Sequence, residues 1–115
     1  MASAVREINI KEDMPTVDEA RRRLISEISL ARRQGVRAIK IIHGYGSSGE
    51  GGAIKTGVRK SLSLRKKEGK VRAFVFGEEW GIFDEASRLL LDECPELSGD
   101  ADLNRCNAGI TVVML

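Results

Sequence analysis

Residues 41–54 read Ile41-Ile42-His43-Gly44-Tyr45-Gly46-Ser47-Ser48-Gly49-Glu50-Gly51-Gly52-Ala53-Ile54, and this order of residue types decides the fold. A strand from Val36 to Ile42, apolar enough at its end to lie centrally in a sheet, runs into a glycine-rich loop, His43 to Gly52. The loop opens a helix from Ala53 to about Lys67. Ile54, Val58 and Leu62 fall on one face of that helix, and Lys55, Arg59 and Lys66 on another. Gly69 stops it, and Val71-Arg72-Ala73-Phe74-Val75-Phe76 reads as the next strand.

The same strand–helix order precedes the loop. Glu7 to Lys11 alternates as a short strand. Thr16 is an N-cap with Glu19 completing a capping box, and Asp18 suits the positive helix end. Val17, Ala20, Leu24, Ile28 and Ala31 form one apolar stripe on a helix that ends near Gln34, with Gly35 as the stop. Strand–helix–strand repeated twice predicts a sheet that begins parallel with right-handed crossovers. The character changes from Gly77 to Asn107. Phe83 to Cys94 reads as a third helix, capped by Asp84 and closed by Pro95, and Ser98 to Asn104 as a polar loop. Gly109 to Leu115 is a last, β-branched strand. The expectation is one α/β domain over residues 1–115: a two-layer sandwich ordered β-α-β-α-β-(α)-β, with a mixed four-stranded sheet, two main helices and an extra helix in an insertion at 77–107.

The 115 residues include 19 Lys/Arg and 17 Asp/Glu, and the charges are not mixed. Residues 1–76 hold 17 basic and 8 acidic side chains, a net of +9; residues 77–115 hold 2 and 9, a net of −7. A basic body points to a polyanion-binding surface; the acidic third either screens it or lies on the other side. No apolar run approaches the ~20 residues of a membrane span, and the start of the chain does not read as a secretion signal. Two cysteines and one histidine are too few for a tetrahedral zinc site. Cys94 and Cys106 read as reduced thiols, which with the lack of a signal suggests the cytoplasm.

Several residues carry chemistry. Glycines let backbone N–H groups approach an anion, and a helix N-terminus adds partial positive charge, with Lys55 and Arg59 in reach of a phosphate. Gly44-Tyr45-Gly46-Ser47-Ser48-Gly49 matches G-x-G-x-x-G, yet Glu50-Gly51-Gly52 separates it from the expected helix start, and the nearest downstream acids, Glu78 and Glu79, stand too far on for a dinucleotide fingerprint. The phosphate-loop pattern fails because Gly52 stands at the lysine place. His43 is the one side chain that ordinarily titrates near neutrality. Tyr45 is placed to stack on a base. Glu78, Glu79, Asp84 and Glu85 together suggest a magnesium site or, more simply, a solvated acidic turn. Trp80 and Phe83 read as anchors of the insertion in the core. Arg21-Arg22-Arg23 spreads over an exposed helix face.

These residues resemble a Smr (small MutS-related) domain, of the stand-alone bacterial type. The resemblance rests on Ile41-Ile42-His43-Gly44-Tyr45-Gly46, which is similar to the family's strand and H-G-x-G motif, on Gly52-Ala53-Ile54 through Val58, and on the closing stretch Asn107 to Leu115. The family's other motif, L-D-x-H, is not matched: Ile8, Asn9 and Lys11 take its places on a strand alignment, and Asp13 takes the histidine place on a helix alignment. The resemblance implies nucleic-acid binding and, in many members, endonuclease cleavage of DNA or RNA. On that reading Lys11, Gly44, Tyr45, Gly46, Lys55 and Arg59 bind nucleic acid, and His43 is the catalytic acid or base of a cleaving member; no cofactor is certain, and Mg²⁺ is the candidate where a divalent metal is used. Two alternatives stand beside it. One is a non-catalytic module for structured RNA, including ribosomal RNA. The other is a protein-interaction domain in which Trp80 and the acidic segment meet a basic partner. The oligomeric state and the choice of DNA or RNA are not legible.

Overall fold

The computed structural model describes residues 4–13, 15–44 and 50–115. Four strands form one mixed sheet: β1 (Val5–Asn9), β2 (Ala38–Ile42), β3 (Ala73–Phe76) and β4 (Ile110–Met114), in the order β1-β2-β4-β3. β1 and β2 pair in parallel, as the sequence predicts. β3 runs in the same direction but does not touch β2, because β4 lies between them, antiparallel to both. β4 takes that central place because all five of its residues are buried, and its β-branched run suits burial on both faces.

Helices α1 (Val17–Arg33) and α2 (Glu50–Lys67) cover one face. Ile39 and Ile41 of β2 and Val113 of β4 meet Ala20, Leu24, Ile28 and Ala31 of α1 and Ile54, Val58 and Leu62 of α2. Thr16 caps α1, its side chain accepting the Glu19 N–H. The helices approach closely at Gly57, where an added Cβ would lie 3.1 Å from Val17 Cγ1.

α2 starts at Glu50, not Ala53. The first-turn N–H groups of a helix have no intrahelical partner in any case, so Gly51 and Gly52 cost less there than mid-helix. The interruption that argued against a dinucleotide fingerprint is thus absent; the wrong spacing of the acids still stands.

The segment after β3 covers the other face. It contains α3 (Glu85–Glu93), capped by Asp84, and a single-turn helix at Pro95–Gly99 within the stretch read as loop. Trp80, Leu90, Cys94 and Leu97 pack on Ala38, Val75, Val112 and Met114. Lys40, in the middle of β2, points to this face and is 7% exposed. Its ammonium lies 2.8 Å from Asp100 and 2.5 Å from Asp102. Asp100 also accepts the Trp80 indole N–H at 3.0 Å, and Asp102 the Asn107 amide at 2.8 Å. A charge in the middle of a central strand is therefore neutralised by the segment that covers it. Burial alone would lower the Lys40 pKa, but the hydrogen bonds to the two carboxylates outweigh it and hold the lysine above its ordinary value.

The expected core anchors separate here. Trp80 is 1% exposed and anchors the segment; Phe83 is 92% exposed and does not. A tight turn explains the difference. Asp84 N–H bonds back to Gly81 O, and Ile82 N–H is held by the Asn104 side chain, which leaves Phe83 at the outer tip. No helix among the described residues is long and apolar enough to cross a membrane. Cys94 is buried and Cys106 exposed, both free.

Candidate nucleic-acid interface

β1, β2 and β3 all end at one edge of the sheet, where β4 begins. The chain segments that leave these strands meet there. After β1, Asn9 accepts the Lys11 N–H through its side chain at 3.1 Å and turns the chain. After β2, His43 and Gly44 both donate their N–H groups to Gly109 O at 3.1 Å. Gly44 has a φ of +82°, a conformation open to glycine. A Cβ there would stand 3.4 Å from Lys11 Cδ, so the Lys11 stem rests on the glycine. Tyr45 and Gly46 lie outside the described residues.

His43 is 1% exposed. Its Nδ1 lies 2.9 Å from Gly44 O and its Nε2 2.9 Å from Thr111 Oγ1. A carbonyl only accepts, so Nδ1 carries the proton and Nε2 accepts the threonine hydroxyl. Burial pushes the ring below its ordinary pKa, and the nearby Arg59 and Lys55 charges push the same way. The Gly44 carbonyl and Glu78 oppose this without reversing it. His43 is thus a neutral imidazole with both nitrogens engaged, and it ties the end of β2 to β4.

Lys55 and Arg59 lie one turn apart on α2 and converge on a single anion, the carboxylate of Glu78 just after β3. Arg59 Nη2 is 2.7 Å from each carboxylate oxygen, and Lys55 Nζ is 3.7 Å from one of them. The Arg59 guanidinium carbon lies over the Phe76 ring, 3.8 Å from its centroid, a cation–π contact that helps to hold it there. Burial would raise the Glu78 carboxyl, but the Arg59 hydrogen bond and the two cations hold it below its ordinary value. Among the acids read as a magnesium site, Glu78 is thereby occupied and Asp84 caps α3. Among the described residues no group of three or more His, Cys, Asp or Glu comes together to hold a metal ion. Arg21 and Arg22 pair with Asp18 on the exposed face of α1, and Arg23 bonds the backbone carbonyls of Ile10 and Glu12.

His43 and Gly44 thus leave the end of β2 bonded to Gly109 O, and the basic helix α2 begins at Glu50. The Smr domain family model matches residues 13–83. The chain belongs to the Smr domain family. No curated protein and no solved structure matches it. The Smr match begins after Asn9 and Lys11, the positions that depart from the L-D-x-H motif, and it ends at Phe83, so α3 and β4 lie beyond it. In this Smr domain sequence reasoning misses Thr111 altogether, and it names Glu78 and Gly109 without the roles they take here. Thr111 carried a usable signal, as the one polar residue in the β-branched run from Ile110 to Met114. The pairing of Glu78 with Lys55 and Arg59 carried none, because these partners stand about twenty residues away on another element.

Proposed function

We propose that this Smr domain binds nucleic acid through its phosphates at the strand-end edge of the sheet, and that it does so as a binding module. The observation that supports this is the convergence of Lys55 and Arg59 on one oxyanion, the Glu78 carboxylate. A carboxylate held by a guanidinium and an ammonium uses the charge-assisted contacts that a phosphate would use. Lys11, lying on Gly44, adds a third cation at the same edge.

The buried, doubly bonded His43 supports a positioning role: it holds the turn in place instead of passing a proton. Cleavage would require Nε2 to leave Thr111 and reach a phosphate, with Lys55 or Arg59 stabilising the developing charge. DNA and RNA share the phosphate chemistry invoked here.

The test uses labelled structured RNA and branched DNA. Binding should weaken steeply with salt, since each neutralised phosphate releases counterions. Lys55→Ala and Arg59→Ala should each weaken binding to all sequences alike and each reduce the log–log salt slope by about 1. A salt-insensitive affinity would overturn the proposal. A time course with and without Mg²⁺, comparing wild type with His43→Ala, reads cleavage directly. Cutting by the wild type that disappears in a variant still able to bind would replace the binding module with an endonuclease.

A further inference from the structure

Among the described residues five large apolar side chains are substantially exposed, and three of them, Ile82, Phe83 and Leu89, fall within one eight-residue stretch after β3. Phe83 is 92% exposed and Ile82 49%. They border an open groove of about 580 Å³ whose charged lining residues are Glu78, Glu79 and Asp84, with no basic side chain. Among the described residues Glu79 and Asp84 form no ion pair. A groove that joins apolar side chains to unpaired carboxylates repels nucleic acid and suits the opposite charge.

The tip is also rigid. Ile82 N–H is held by Asn104 Oδ1 at 3.1 Å, Gly81 N–H by Ser87 Oγ at 3.2 Å, and Asn104 N–H by Trp80 O at 2.9 Å. A Cβ on Gly81 would lie 2.7 Å from Asn104 Oδ1, so the turn closes on itself. The backbone that carries Phe83 is thereby held in place, which lowers the ordering cost of docking there.

From this geometry we infer that the Ile82–Phe83 groove is a docking site for a basic protein segment carrying an apolar anchor residue. The anchor packs on Ile82 and Phe83, and flanking lysines or arginines face Glu79 and Asp84. The groove shares Glu78 with the Lys55–Arg59 edge, but docking through Ile82, Phe83, Glu79 and Asp84 does not depend on the nucleic-acid reading.

Trp80 lines the groove and is the only tryptophan of the chain, so its fluorescence reports occupancy. The probe is a short synthetic peptide with leucine among lysines, titrated into the whole protein. The expected result is a saturable change in Trp80 emission. Phe83→Ala should weaken binding at least about tenfold, as loss of an aromatic anchor does, while leaving the melting temperature and nucleic-acid affinity unchanged. Glu79→Gln should weaken it a few-fold and flatten its salt dependence. Replacing leucine by serine in the peptide should abolish binding. Equal affinity of wild type and Phe83→Ala overturns the inference. So does a fall in nucleic-acid affinity in that variant, which would make Phe83 a base-stacking residue. A dimer in sedimentation that Phe83→Ala dissolves would overturn it too, because the groove would then be filled by a second copy.

Discussion

Lys55 and Arg59 reach from consecutive turns of α2 to the Glu78 carboxylate, so the cations proposed to hold phosphate already hold an anion of the chain itself. An incoming phosphate must displace it. Glu78 is 40% exposed at its side chain, so the pair is worth no more than about 1 kcal/mol. Glu78→Gln should accordingly raise nucleic-acid affinity by about three- to fivefold at low salt, as read by fluorescence anisotropy; unchanged or weaker binding would mean that the carboxylate does not compete. The sequence shows each of these residues but not their meeting. His43 shows the same limit. Its place after β2 is legible, whereas its burial under the turn depends on Thr111, reached only through a strand pairing that no local pattern encodes.

At the level of elements, the helices and strands follow from capping and apolar spacing: Thr16 with Glu19 for α1, Asp84 for α3, the β-branched run for β4. The boundaries that moved did so for a physical reason, as at Glu50, where glycines in a first turn are tolerated. The connection after β3 is tighter than its composition suggests. Gly77 stands so close to the chain before β4 that a Cβ would lie 1.8 Å from Asn107 O and 2.8 Å from Ile110 O. Only backbone movement could relieve that contact. Gly77→Ala should cost on the order of 3 kcal/mol, seen as a lower urea midpoint. Gly99→Ala, with nothing within 4 Å of the added atom, should stay near the wild-type value.

Across the whole molecule, the linear charge asymmetry becomes a spatial one. The part with net +9 carries α1 and α2 on one face of the sheet, and the acidic segment covers the other, with Glu78 reaching round to α2. Lys40 is the link between the acidic segment and the sheet. The Asp102 carboxyl is held below its ordinary value of 3.8, first by the Lys40 hydrogen bond and then by Asn107. A carboxyl lowered on folding adds stability that is present above its ordinary pKa and lost as pH falls through its folded value. Acid should therefore loosen this face, with a stability loss that begins near pH 4 and deepens below it. Asp100→Ala leaves the Trp80 N–H without its acceptor and removes half of the Lys40 counter-charge. It should cost about 2–4 kcal/mol, measured by thermal unfolding at pH 7. A loss below about 0.5 kcal/mol would show that the pair adds nothing to the segment's grip. The pattern of strands and helices revealed an insertion but not which face it takes, because Lys40 and its two carboxylates are some sixty residues apart.

β2 and β3 never touch; β4 alone joins them, and it follows both in the chain. Until it has left the ribosome, the emerging chain holds two strands whose hydrogen-bonding edges face empty space and a lysine without its counter-charge. Open edges of this kind pair readily with other chains. The sheet closes only when β4 slides between its neighbours, so both inner edges stay open until Ile110–Met114 is in place.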